Sequence, residues 1–118
     1  MDTHVINVQK ANLKKLGYTD FEDWIKNPNN VYIGRNVVYV KGTFNSKWRN
    51  TFPVKRMGRD DCIKAYKEYM LQNPELIKDL YELKGKQLGC WCKPEKCHGD
   101  VLIELLNCLE KNSTDNRC

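Results

Sequence analysis

The residues best equipped for chemistry fall in one short stretch, Cys90-Trp91-Cys92-Lys93-Pro94-Glu95-Lys96-Cys97-His98-Gly99-Asp100. If Leu88 to Cys92 is extended, side chains two apart share a face, so Cys90 and Cys92 point together and Trp91 points away into packing. Lys93 to Lys96 then reads as a turn that reverses the chain and delivers Cys97 and His98 at the N-terminus of a final helix. On this reading Cys90, Cys92, Cys97 and His98 converge at one place.

Two chemistries suit such a group. The first is a metal site: three thiolates and an imidazole are ligand types that Zn²⁺ prefers, with Cys90, Cys92, Cys97 and His98 as the ligands. The spacing is unusual, because one pair is separated by a single residue and the other is adjacent, whereas zinc knuckles generally separate their pairs by roughly two to four. The second needs no metal. Free N–H groups at the start of the last helix form an anion site, and the helix dipole lowers the pKa of a cysteine placed there. Cys97 is then a candidate thiolate nucleophile or phosphate neighbour, with His98 as acid or base. Asp100 either orients His98, acts as a base, or caps the helix, the commoner role for an acidic residue in a first turn. A redox pair of Cys90 and Cys92 is disfavoured, since one strand face places them poorly for a relaxed disulfide.

The elements that must position this group follow from pattern. Val5 to Val8 has strand composition, and Gln9 to Gly17 has weak helical character at best. Asp20 caps a short amphipathic helix, Phe21 to Lys26, that stops at Asn27-Pro28. Val31-Tyr32-Ile33 is a second strand, and Asn36 to Lys41, rich in Val and Tyr, is expected to form a third. Thr43 to Met57 keeps no period and reads as a long loop, either a ligand clamp or an irregular segment anchored by Trp48 and Phe52. A helix from about Asp60 to Gln72 carries the stripe Ile63, Tyr66, Tyr69 and Met70; Asn73-Pro74 opens another through Leu76, Leu80 and Leu83 that stops near Gly85. Lys86 to Trp91 is a short strand, and the final helix buries Val101, Leu102, Leu105, Leu106 and Leu109. This order predicts a small single-domain, Rossmann-like α/β three-layer sandwich with a largely parallel sheet, spanning residues 1–110 and followed by a polar tail, 111–118. In such folds ligands sit beyond the carboxyl ends of the strands, where the Cys/His stretch falls.

Composition narrows the partners. A chain of 118 residues with a formal charge of +5 is one domain of mildly basic character, compatible with an anionic ligand or nucleic acid. No apolar run approaches a membrane span, and the first residues carry no secretory pattern, so a cytoplasmic or nuclear location is expected, with no membrane partner. Six cysteines in such a setting favour thiols or metal ligands over disulfides. Cys62 and Cys108 read as small buried residues on helices, and Cys118 as part of a frayed tail. Arg35, following Tyr32-Ile33-Gly34, and Lys47, Arg49 and Lys55 from the long loop are expected to meet the pocket. Tyr32 and Trp48 would serve as stacking faces, with Asn50 and Gly99 completing the ligand-binding set.

Tyr32-Ile33-Gly34-Arg35, Ser46-Lys47-Trp48-Arg49-Asn50-Thr51-Phe52 and the run from Gly85 through Gly89-Cys90-Trp91-Cys92 and Cys97-His98-Gly99-Asp100 to Leu102 together resemble the family catalogued as domain of unknown function 4326. Such domains occur in bacteria, phages, large DNA viruses and some eukaryotes. The resemblance runs from about Val5 to Leu106 and implies a shared fold and site without naming an activity. This chain has Arg49 where a Gly is common and Thr51 where a Pro is common, departures that bear on the turn geometry of the loop. A more distant similarity is to another family with a Cys after a strand and Pro-x-x-Cys-His at a helix start. There the counterpart of Cys92 is often another residue, which speaks against an obligatory four-ligand zinc site. The expected function is binding of a nucleotide or nucleic-acid component at the Cys/His pocket, with or without chemistry on it; the alternative is a zinc-stabilised binding module without catalysis.

Overall fold

The computed structural model describes residues 3–93 and 95–115, with side chains through Lys111. Three short strands, β1 (His4–Asn7), β2 (Asn30–Tyr32) and β3 (Gln87–Cys90), form a parallel sheet in the order β1-β3-β2. The last strand in sequence is therefore the central one, with Val5 opposite Leu88 on one side and Val31 opposite Leu88 on the other. Parallel neighbours require crossovers. Helices α1 (Lys10–Lys15) and α2 (Phe21–Ile25) lie between β1 and β2. Helices α3 (Val54–Met57), α4 (Arg59–Leu71) and α5 (Pro74–Asp79), with a 3₁₀ turn Leu80–Leu83, lie between β2 and β3, and α6 (His98–Asp115) follows.

The alternation of side chains divides the core by face. Ile6, Val8 and Tyr32 pack with Leu13, Phe21 and Trp24 of α1 and α2. Leu88, Cys90 and Ile33 point the other way, into Tyr66 and Met70 of α4, Leu80 and Leu83, and Val101, Leu102, Leu105 and Leu106 of α6. A sheet with helices on both faces is the three-layer α/β arrangement expected of a buried parallel sheet. Two glycines permit the close approach of these layers. A Cβ on Gly89 would lie 2.4 Å from Cη2 of Trp24, and one on Gly99 would lie 2.7 Å from Cγ2 of Val5.

Several local expectations need correction. Residues 36–41 form turns, not a third strand, with Val38 and Tyr39 about nine-tenths exposed. The Thr43 hydroxyl accepts the Val37 N–H at 2.9 Å and donates to the Val40 carbonyl at 2.9 Å, offering this segment local partners in place of a ladder. Conversely, Gln9 to Gly17 contains α1, because Asn7 accepts the Gln9 N–H at 2.7 Å and Leu13 is wholly buried. One core residue per turn is too faint a period to announce a helix. Within the long loop, residues 54–57 make the single turn α3. Tyr69 is exposed, and Cys62 takes a buried place on α4. Asp20 does cap α2, accepting the Asp23 N–H at 2.9 Å. Helix α6 runs on to Asp115, through much of the stretch expected to be tail, and Cys108 is half-buried on it. Pro94 of the expected turn, and Cys118, lie outside the described residues.

Candidate functional site

The strand parity anticipated for Cys90 and Cys92 is present: both lie on the α6 side of the sheet with Leu88, and Trp91 joins the opposite core. A turn bond from the Glu95 N–H to the Cys92 carbonyl, 2.8 Å, starts the reversal that brings Cys97 back. The Sγ atoms of Cys90, Cys92 and Cys97 all lie within 4.8 Å of one another, and those of Cys90 and Cys97 are 2.8 Å apart. Three cysteines so placed can hold a metal ion.

His98 lies beside the group. Its Nε2 sits 2.7 Å from the Ile33 carbonyl, an acceptor, so that nitrogen carries the proton and Nδ1 keeps its lone pair. Nδ1 lies 3.6 Å from the Cys97 sulfur. The ring is buried against Tyr66, edge to face at 5.0 Å, and burial lowers its pKa and favours the neutral form. A neutral imidazole whose far N–H is held by a backbone carbonyl is how a histidine is prepared to ligate metal.

The three thiols share charge unequally. The Cys92 pKa is lowered because the Cys90 and Cys97 thiols donate to its sulfur, and the Arg59 guanidinium adds to this. Cys90, whose thiol gives its proton toward Cys92, is raised to about 11, and Cys97 is raised too by the hydrogen bond with Cys90, by Cys92 and by burial. Of the three, Cys92 is the least buried thiol and the one with a cation beside it.

The start of α6 is not a free anion site. The Asp100 carboxylate accepts the Cys97 N–H at 3.1 Å, and the Cys97 sulfur receives the Gly99 N–H at 3.4 Å. This is the reciprocal half of a capping box, so Asp100 acts as a cap; it also binds Lys93 at 2.8 Å. The Cys97, Gly99 and Asp100 N–H groups, which would have faced a phosphate, are taken by the chain itself.

Over the thiols lies a cavity of about 620 Å³ beyond the carboxyl ends of β2 and β3. Cys90, Cys92 and His98 are in its lining; Phe52, Val37, Val54 and Trp91 supply apolar walls; Arg35, Lys55 and Asn50 supply polar ones. The Arg35 guanidinium donates through Nε and Nη2 to the Asn50 carbonyl, at 2.9 and 2.6 Å, tying the loop to the end of β2. The other predicted ligand-binding residues lie elsewhere. Lys47 pairs with Glu82 at 2.7 Å and Asp79 at 3.1 Å, remote from the cavity lining. Trp48 is 2% exposed within the α4 and α6 core. Tyr32 is buried on the other face, where its hydroxyl receives the Trp91 indole N–H at 2.8 Å and donates to the Arg35 carbonyl. Gly99 is packed against Val5 and Ile33, and Arg49 turns back to the Ser46 carbonyl at 3.0 Å.

Three contributors were not singled out from the sequence. Arg59 reaches the thiols and donates to the Lys96 carbonyl at 2.8 Å; its signal is a cation at the first residue of a helix, where the dipole disfavours one. Asn7, at the end of β1, donates to the Lys93 carbonyl at 2.6 Å and holds the β3–α6 connection. Cys62 receives Asn50 Nδ2 at 3.0 Å and donates to the Phe52 carbonyl at 2.9 Å, so its thiol fixes the loop over the cavity.

The sequence model of a family described as domain of unknown function, DUF4326, matches residues 18–108. The chain belongs to this family. Within that DUF4326 stretch fall β2, the loop, α4, β3 and most of α6, so all the lining groups described above are included. A relative from Acanthamoeba polyphaga mimivirus, "Uncharacterized protein R718", is 38% identical over 97 residues, covering 72% of each chain. Another, from Enterobacteria phage T4, is the "Uncharacterized 12.4 kDa protein in nrdA-td intergenic region", 34% identical over 76 residues, 61% of this chain and 68% of its own. No solved structure matches the chain.

Proposed function

We propose that this chain binds a phosphate-bearing ligand, a nucleotide or a nucleic-acid component, in the cavity above the thiols. The observation that carries the reading is the composition of that cavity: apolar and aromatic walls of a size suited to a base and sugar, with Arg35 and Lys55 on the same lining. An anionic group would be held by these two side chains and not by the capped start of α6. Cys92 and His98 would face the ligand from the floor, where a thiolate and a neutral imidazole are the groups available to act on it. Calorimetric titration with nucleoside monophosphates tests this directly. Saturable binding is expected, weakened roughly tenfold or more by Lys55→Ala or Arg35→Ala, the loss typical of a charged hydrogen bond. Absence of any nucleotide heat with the intact protein would overturn it.

A second reading concerns the floor itself, and the orientation of His98 favours it. Zn²⁺ held by Cys90, Cys92, Cys97 and His98 would join the end of β3 to the start of α6. Tetrahedral thiolates on zinc sit about 3.8 Å apart for Zn–S of about 2.3 Å, so the Cys90 and Cys97 sulfurs would separate by about 1 Å to admit the ion. The Cys97 sulfur and His98 Nδ1 stand 3.6 Å apart. Ligand binding in the cavity is compatible with either reading, but zinc on Cys92 and His98 would leave neither free to act on the ligand.

A further inference from the structure

A second, smaller cavity of about 230 Å³ adjoins the first, and Tyr39 and Trp91 belong to the lining of both. Trp91 is fixed between them by its indole N–H to the Tyr32 hydroxyl. Tyr39 is presented differently: its ring is 90% exposed, at the tip of a loop closed at its base. There Thr43 bonds Val37 and Val40, the Val40 N–H bonds the Val37 carbonyl at 2.9 Å, and Asn45 Oδ1 accepts the Asn36 N–H at 3.0 Å. A self-tied loop that holds an aromatic ring in water between two cavities gains nothing for the fold from that ring. It does provide a stacking surface.

Charge is distributed to match. Arg35 and Lys55 line the larger cavity, and Lys10 and Lys41 the smaller. Lys41 is only loosely paired, 3.8 Å from Glu22. The smaller cavity also contains Asp20, whose Oδ1 is engaged by the Asp23 N–H. Cations at both ends, aromatic rings between them and one acceptor for a sugar hydroxyl or base amine are what a run of linked nucleotides requires, and exceed what one nucleotide can use.

We infer that the occupant is a short single-stranded nucleic acid, with successive units in the two cavities and Tyr39 stacked between them. This rests on the nucleotide-binding reading above and adds that the natural ligand is a strand. Fluorescence anisotropy with a labelled short oligothymidylate, and with its oligouridylate counterpart, tests it alongside competition by thymidine and uridine monophosphate. The intact chain is expected to bind the oligonucleotide more tightly than the mononucleotide, with affinity falling as salt rises. Tyr39→Ala is expected to weaken the oligonucleotide about tenfold, in keeping with one lost base stack, and the mononucleotide by less, so that the preference for the oligonucleotide shrinks. Because Tyr39 contributes almost nothing to the core, this variant folds as the parent does. Oligonucleotides that bind no better than the monophosphates, or that are indifferent to Tyr39→Ala, would overturn the strand inference and leave the nucleotide reading standing. Failure of the monophosphates to compete would remove both.

Discussion

At the scale of residues, the site is a set of proton and charge allocations fixed by neighbours. His98 is the clearest case. Burial lowers its pKa below the ordinary 6.5, and its N–H is committed to the Ile33 carbonyl. In the unfolded chain the same imidazole takes up a proton near its ordinary value. As pH falls through 6.5 the unfolded state therefore gains a proton that the folded state refuses, and stability falls with it. Urea midpoints of metal-free protein are expected to drop between about pH 7 and pH 5. His98→Gln, which retains an N–H for the Ile33 carbonyl, is expected to flatten that slope. Parallel slopes for the two proteins would show that His98 is not the group responsible. The low pKa of Cys92 belongs to this scale as well, since it depends on the neighbouring thiols and the Arg59 guanidinium.

At the scale of elements, the site depends on how closely β3 can lie under its helices. Gly89 faces α2, and the Trp24 ring and the Val8 side chain occupy the space where a Cβ would stand, at 2.4 and 2.6 Å. Neither the strand backbone nor a buried indole yields cheaply. Gly89→Ala is expected to destabilise the fold by about 1–3 kcal/mol, the usual cost of overpacking, measurable as a lower urea midpoint with an unchanged m-value. A neutral effect would mean that α2 moves freely relative to the sheet. The α6 start is equally exacting, because Gly99 allows it to lie on Val5 and Ile33 while Asp100 caps it.

At the scale of the whole molecule, the cysteine group joins the central strand to the longest helix, so a bound ion would act on global stability. Protein refolded with one equivalent of Zn²⁺ is expected to retain it through gel filtration and to lose several degrees of Tm on chelation. Cys90→Ser is expected to abolish that difference. Equal melting with and without chelator would exclude the metal as a structural element. Among the described residues no helix is long and apolar enough to cross a membrane.

The sequence by itself determined what local geometry determines. The two-residue period of β3 put Cys90 and Cys92 on one face, the turn returned Cys97 and His98 to them, and the apolar stripe of α6 marked its buried side. The residues after Gly34 could not be read in that way. Val37, Tyr39, Trp48 and Lys47 have the composition of strand, platform or phosphate clamp, yet their roles follow from partners distant in the chain: Thr43 for the loop, the α4 and α6 core for Trp48, and Asp79 with Glu82 for Lys47. Arg35 and Lys55 are anticipated at the pocket, but only the tertiary structure decided that Tyr39 joins them on its lining. A crossover of many residues brings them there, and its path is set by burial and pairing summed over the whole chain, while strand parity and helix capping act between near neighbours.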